Sequence, residues 1–354
     1  MKTIHELSSL SMSNIVHILS DHSDFYKLFV HSHLQSLDIN NVSNENNYLN
    51  ENIIDLIRDY FNIVSSLSEI NEQQIQWTFE GLILNLLNAF NDCTLLKYLD
   101  THRSSCINGK FCLDCCFLYK NVNINIEKER QCLQDFIVCL DAFKKSYASL
   151  TESSIGQMLH YLHLLLDIQN RKKIYGFPIN CKQITFFYVE KECKSNLYNN
   201  NKSQDLDMFN NYSETSLPVD MIITKEEWKN KYLNEVIWKI FTNFLTMSNN
   251  FYEYATLNID PRDDLFDCRY MIRKKLGIGL TTMVYLLEKK EDNYLIEDSP
   301  HYAMKILKEN DYSEYFLNEI KITEKLTQFD NSNKFYLFFQ DILSPLSSGI
   351  TFVF

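Results

Sequence analysis

Two glycines one residue apart, Gly277 and Gly279, sit in the stretch Leu276-Gly277-Ile278-Gly279-Leu280-Thr281-Thr282-Met283-Val284. Lacking a Cβ, the backbone there can approach a phosphate closely and offer its N–H groups. An isolated Gly-x-Gly is as readily a plain hairpin turn, so the chemistry depends on its neighbours. Tyr302-Ala303-Met304-Lys305-Ile306 supplies two of them. Strand alternation puts Ala303 and Lys305 on one face, a small side chain with room for a planar base beside an ammonium that can meet phosphate oxygens. The plainer reading of Lys305 is a solvated strand lysine. A carboxylate follows in Phe316-Leu317-Asn318-Glu319-Ile320-Lys321-Ile322. Apolar residues on both sides of Glu319 predict that it faces inward and seeks a cation, whereas Glu314 and Glu324 read as exposed.

Metal ligation is the second chemistry to weigh. His102, Cys106, Cys112, Cys115 and Cys116 lie close together, and Cys112-x-x-Cys115 has the spacing of a zinc pair. The matching second pair is absent, and buried cysteines acting as small apolar residues account for the same pattern. His160 and His163 share a helix face but lie among leucines, which favours a core role. Trp77, Trp228 and Trp238 read as core anchors.

The elements that must position these residues follow from periodicity. From about residue 12 to 169, apolar residues recur three and four apart, as in Ile53, Ile54, Ile57, Tyr60, Phe61 and Val64, with further segments over 74–90, 126–150 and 155–168. An antiparallel helical array is expected there. Gln183 to Glu190 reads as a strand, residues 193–218 as an Asn- and Ser-rich mobile loop, and Thr224 to Glu227 as a capping box opening a helix that runs through Phe244. Beyond residue 266 the pattern changes to strands over 270–278, 283–289 and 302–307, a helix over 312–326, and apolar runs over 334–343 and 349–354. The expected architecture is α+β and multidomain. A largely α-helical amino-terminal region (1–192), the loop and a helical connector (219–265) precede a five-stranded antiparallel sheet with one helix (266–354).

Composition excludes several classes. The 354 residues carry 34 Lys plus Arg against 46 Asp plus Glu, a net charge of −12 that repels polyphosphate backbones and argues against nucleic-acid binding. No run is long and apolar enough to span a bilayer, and residues 1–20 lack the apolar stretch of a secretory signal. An intracellular, cytoplasmic protein with reduced thiols and no membrane partner is expected.

The order of glycine pair, following valine, Ala-x-Lys strand, helix glutamate and closing strand Ile350-Thr351-Phe352-Val353-Phe354 resembles the amino-terminal lobe of eukaryotic protein kinases, over about residues 269–354. The resemblance implies an ATP site. Gly277 and Gly279 would cover the phosphates, and Leu276, Val284 and Ala303 would enclose the adenine. Lys305 would hold the α- and β-phosphates and pair with Glu319, the two taking the catalytic roles, while Phe354 would be the gatekeeper. Thr282 stands where the family has its third glycine, and Thr323 where it has a large apolar residue. No His-Arg-Asp or Asp-Phe-Gly motif follows the glycines, so the sequence is expected to be part of a longer kinase, with Mg²⁺ bound only when the other lobe is present. The implied activity is transfer of the ATP γ-phosphate to a Ser/Thr hydroxyl of a protein. The alternative is a non-catalytic helical interaction protein or pseudokinase with a vestigial nucleotide-binding lobe. Residues 1–265 resemble no recognised family and leave the protein substrate or partner open.

Overall fold

The computed structural model describes residues 21–39, 49–66, 72–102, 105–107, 109–124, 132–144, 150–192, 197–211, 223–254, 257, 259–262, 270–289, 302–308, 310–329 and 351–353. The fold is mixed α/β, with one large mixed sheet and a separate antiparallel sheet. The chain divides into two compact units. The first comprises Met1–Arg103, Phe111–Leu118 and Ile137–Glu253, the second Ser104–Lys110, Tyr119–Phe136 and Tyr254–Phe354.

In the first unit the strands are β1 (Leu34–Ser36), β2 (Leu96–Asp100), β3 (Cys115–Tyr119), β4 (Cys139–Phe143), β5 (Lys173–Ile179), β6 (Gln183–Ile184), β7 (Phe187–Lys191), β8 (Tyr198–Lys202) and β9 (Leu206–Asp207). They form a nine-stranded sheet in the order β1-β8-β7-β5-β4-β3-β2, with β6 paired to β5 and β9 to β6. The longer helices are α1 (Glu51–Ser66), α2 (Glu72–Phe90), α3 (Glu152–Gln169), α4 (Lys225–Tyr232) and α5 (Glu235–Leu245). Strands β4 and β5 are parallel, and α3 is the crossover that a parallel pair requires. Thr151 caps its start by accepting the Ser154 N–H, and Asn170 ends it in the left-handed conformation.

A largely helical amino-terminal region is therefore corrected to a mixed one. Helices α1, α2 and α3 stand where the spacing predicts them. The helix expected over 126–150 is instead a 3₁₀ turn at Leu133–Asp135 and strand β4. The reason is burial on both faces: four of the five residues of β4, Cys-Leu-Asp-Ala-Phe, are buried, so the segment lacks the alternation of a half-exposed strand. Within the segment expected as a loop, Tyr198–Lys202 and Leu206–Asp207 are strands. The capping box at Thr224 and Glu227 is formed, but the helix it opens stops at Tyr232, and α5 begins anew after an extended Leu233.

His160 and His163 lie in this unit's core at 0% and 1% exposure, and His163 Nε2 is 2.6 Å from Asn200 Oδ1. Burial lowers the His163 pKa to about 4. The folded state therefore holds a neutral ring that the unfolded chain would protonate near pH 6.5. Stability should be fully present above that value and fall by roughly 3 kcal/mol as the pH drops to 4. Urea unfolding of the protein and of His163→Gln between pH 7 and 4.5 checks this. An equally steep acid loss in the variant would remove the assignment. Trp228 and Trp238 are buried as expected, whereas Trp77 is 57% exposed on α2 and is not a core anchor.

Candidate functional site

The second unit carries strands β10 (Tyr270–Ile278), β11 (Thr282–Lys289), β12 (Tyr302–Leu307) and β13 (Thr351–Val353), joined as an antiparallel sheet in chain order. Helix α6 (Ser313–Phe329) follows β12. All four of these strands and the helix stand where the sequence predicts them. The apolar run over 334–343 and Phe354 lie outside the described residues.

Cross-strand register assembles the site. Gly277 is opposite Val284, and Val284 is opposite Lys305, so one row crosses three strands. The next pair on the same face is Leu286 with Ala303. Phe316 and Ile320, one turn apart on α6, pack with Leu307, while Tyr312 closes that cluster. This packing sets the helix so that Glu319 reaches Lys305: Nζ donates to Oε1 at 2.5 Å, with the side chains 17% and 49% exposed for lysine and glutamate. The Lys305 ammonium also lies 5.8 Å from the centroid of the Phe316 ring. Glu319 thus meets a cation, but at 49% exposure it does not face inward as its setting predicts, because the flanking Leu317 and Ile322 are themselves exposed.

The glycine segment is the hairpin between β10 and β11, with Ile278 opposite Met283 and a register shift between Lys275 and Gly277 that leaves Leu276 in a bulge. Neither glycine has a positive φ. A Cβ on Gly277 would meet nothing within 4 Å, and one on Gly279 would make only ordinary contact with Thr282 at 3.4 Å. The chain's own packing therefore demands glycine at neither position, and space lies open above both. Leu276, Ile278 and Leu280 are 51%, 64% and 84% exposed.

The opposite face of the sheet holds a group that sequence reasoning missed. Met283, Tyr285, Leu287, Met304 and Ile306 are buried there, and Asn123, Asp135 and Phe136 of the same unit meet that side. The Ile272 N–H donates to the Asn123 carbonyl at 2.7 Å, and Phe136 packs on Tyr285 with centroids 5.1 Å apart. Asp135 is 0% exposed. Its two oxygens accept from Lys275 Nζ at 3.0 and 2.8 Å, and the Tyr285 hydroxyl donates at 3.0 Å. Burial raises the Asp135 pKa, opposed by the Lys275 charge and by hydrogen bonds from Lys275 and Tyr285. The available signal was a single carboxylate inside the apolar run Leu133 to Leu140.

Among the described residues no three His, Cys, Asp or Glu side chains are placed to hold a metal. Cys115 and Cys116 are successive strand residues, whose side chains point to opposite faces, and His102 Nδ1 lies 2.6 Å from Asp100. Among the described residues no helix is long and apolar enough to cross a membrane.

Neither a protein-family model nor a curated protein sequence matches this chain.

Proposed function

We infer that the second unit is the phosphate-holding half of an ATP site, and that the complete protein is a protein kinase transferring the γ-phosphate to a Ser/Thr hydroxyl. The observation that carries the reading is the Lys305–Glu319 contact, made on the sheet face that also presents Val284 and Ala303. A lysine oriented by a carboxylate is a fixed point charge for the α- and β-phosphates. The glycine hairpin supports the same reading, because its lack of side chains serves no packing need of the chain and leaves the backbone approachable. Leu276, Val284 and Ala303 would enclose the base. Mg²⁺ and the acceptor hydroxyl would depend on catalytic-loop and metal motifs that do not occur after the glycines.

Titration of the 354-residue chain with a fluorescent ATP analogue tests this. Saturable but weak binding is expected. Lys305→Met should reduce it at least about tenfold while leaving stability nearly unchanged, since a partly exposed pair contributes roughly 0–1 kcal/mol. Gly277→Ala should keep or slightly raise stability, by up to about 1 kcal/mol, and still weaken binding. Equal affinity in the wild type and Lys305→Met would reject the reading.

A further inference from the structure

We propose that Lys308 is a positioning residue for the glycine hairpin, pinning the peptide plane at its tip. The contact stands on the geometry alone, and its consequence for nucleotide rests on the function inferred above. Leu307, the last residue of β12, pairs with Thr282, so Lys308 continues the ladder at the foot of the hairpin. Its N–H donates to the Thr281 carbonyl at 2.9 Å, and its ammonium donates to the Gly279 carbonyl at 2.6 Å. The Gly279 N–H in turn donates to the Thr282 carbonyl at 2.8 Å. One lysine thus holds two carbonyls of the hairpin loop, those of Gly279 and Thr281, from the neighbouring strand.

The tip needs such an anchor. Ile278 and Leu280 are 64% and 84% exposed, so neither apolar side chain fastens it by burial, and a glycine backbone has the widest conformational freedom of any residue. Fixing the Gly279 carbonyl fixes the following N–H as well, because the planar trans peptide sets C=O and N–H in opposite directions. With the carbonyl turned toward Lys308, the Leu280 N–H is directed away from it. That is the orientation in which a backbone donor can meet a phosphate oxygen rather than compete for the lysine. Lys305 and Lys308 then divide the work: the first is the charge for the phosphates, and the second sets the hairpin that covers them.

Amide hydrogen exchange on the full chain, with Lys308→Met, Lys308→Arg and Lys305→Met, tests the assignment. In Lys308→Met, exchange at Gly279, whose N–H donates to the Thr282 carbonyl, should quicken about fivefold, the effect of losing one partly exposed hydrogen bond, while residues 283–287 exchange as before. Lys308→Arg should restore protection, and Lys305→Met should leave the tip unaltered. Unchanged exchange at Gly279 in Lys308→Met, or equally faster exchange throughout the sheet, overturns the positioning role. Binding of the fluorescent ATP analogue in the same samples separates the two inferences. If the wild type shows none, the nucleotide reading fails, and tip exchange still decides Lys308.

Discussion

Replacing Lys275 by methionine is expected to destabilise the second unit by about 3–5 kcal/mol at neutral pH, because it leaves the Asp135 carboxylate buried without its cation. That is a large part of the 5–15 kcal/mol that typically holds a protein folded. The Tyr285 hydroxyl remains as a donor, but one neutral hydrogen bond does not offset the desolvation of a full charge. The loss should depend on pH with a definite sign. The folded pKa of Asp135 already lies above the unfolded value, and removing Lys275 raises it further. The penalty is therefore fully present above the folded pKa and shrinks as the pH falls toward the unfolded value, where the carboxyl is protonated in both states. Urea unfolding of Lys275→Met at pH 7 and pH 5 should show the smaller loss at pH 5. Adding Asp135→Asn should recover part of the stability, since the buried charge is then gone. A single substitution costing under about 1 kcal/mol, or a double variant weaker than the single, would show that the three groups do not act as one cluster.

A loss of similar size is expected in the first unit from Arg171→Met. Arg171 is 3% exposed, and its guanidinium donates to the carbonyls of Ile137, Val138 and Tyr252 and to Gln169 Oε1, at 2.7 to 3.2 Å. Methionine fills much of the volume but supplies no donor, so the Val138 and Tyr252 carbonyls and Gln169 Oε1 each lose a hydrogen bond, while the Ile137 carbonyl keeps the one from Gln169 Nε2. At the low end of roughly 1 kcal/mol for each of these three, the expected cost is about 3 kcal/mol. Arg171→Lys should also be destabilising, because a single ammonium cannot span carbonyls fixed for a planar fork. Urea denaturation of both variants provides the measurement. A midpoint shift no larger than that of an ordinary surface substitution would mean that the carbonyls find other donors.

These two clusters also mark what can be read from residue order and what cannot. Ile53, Ile54, Ile57, Tyr60, Phe61 and Val64 are all buried along α1, because a helix exposed on one side leaves its period in the sequence. The strands β10, β11 and β12 and the helix α6 were legible for a related reason, since their own alternation and period mark them, whereas the pairing of Lys305 with Glu319 came from the family resemblance. Strand β3 was not, since a strand buried on both faces has no alternation to betray it. Asp135 and Lys275 were beyond reach in another way. Each is unremarkable among its sequence neighbours, and only a fold that joins residues 140 positions apart gives them a meaning. Lys308 shares that invisibility, its carbonyl partner lying 29 residues back along the chain.

The long excursion that carries Asp135 to the β10–β11 surface also sets a timetable for the growing polypeptide. Asp135 emerges from the ribosome 150 residues ahead of Tyr285, which at ordinary elongation rates is on the order of ten seconds. Through that interval Leu133, Phe136 and the carboxylate between them have been made, and the strands that will enclose them have not. The apolar patch around them stays uncovered on the nascent chain until those strands are made.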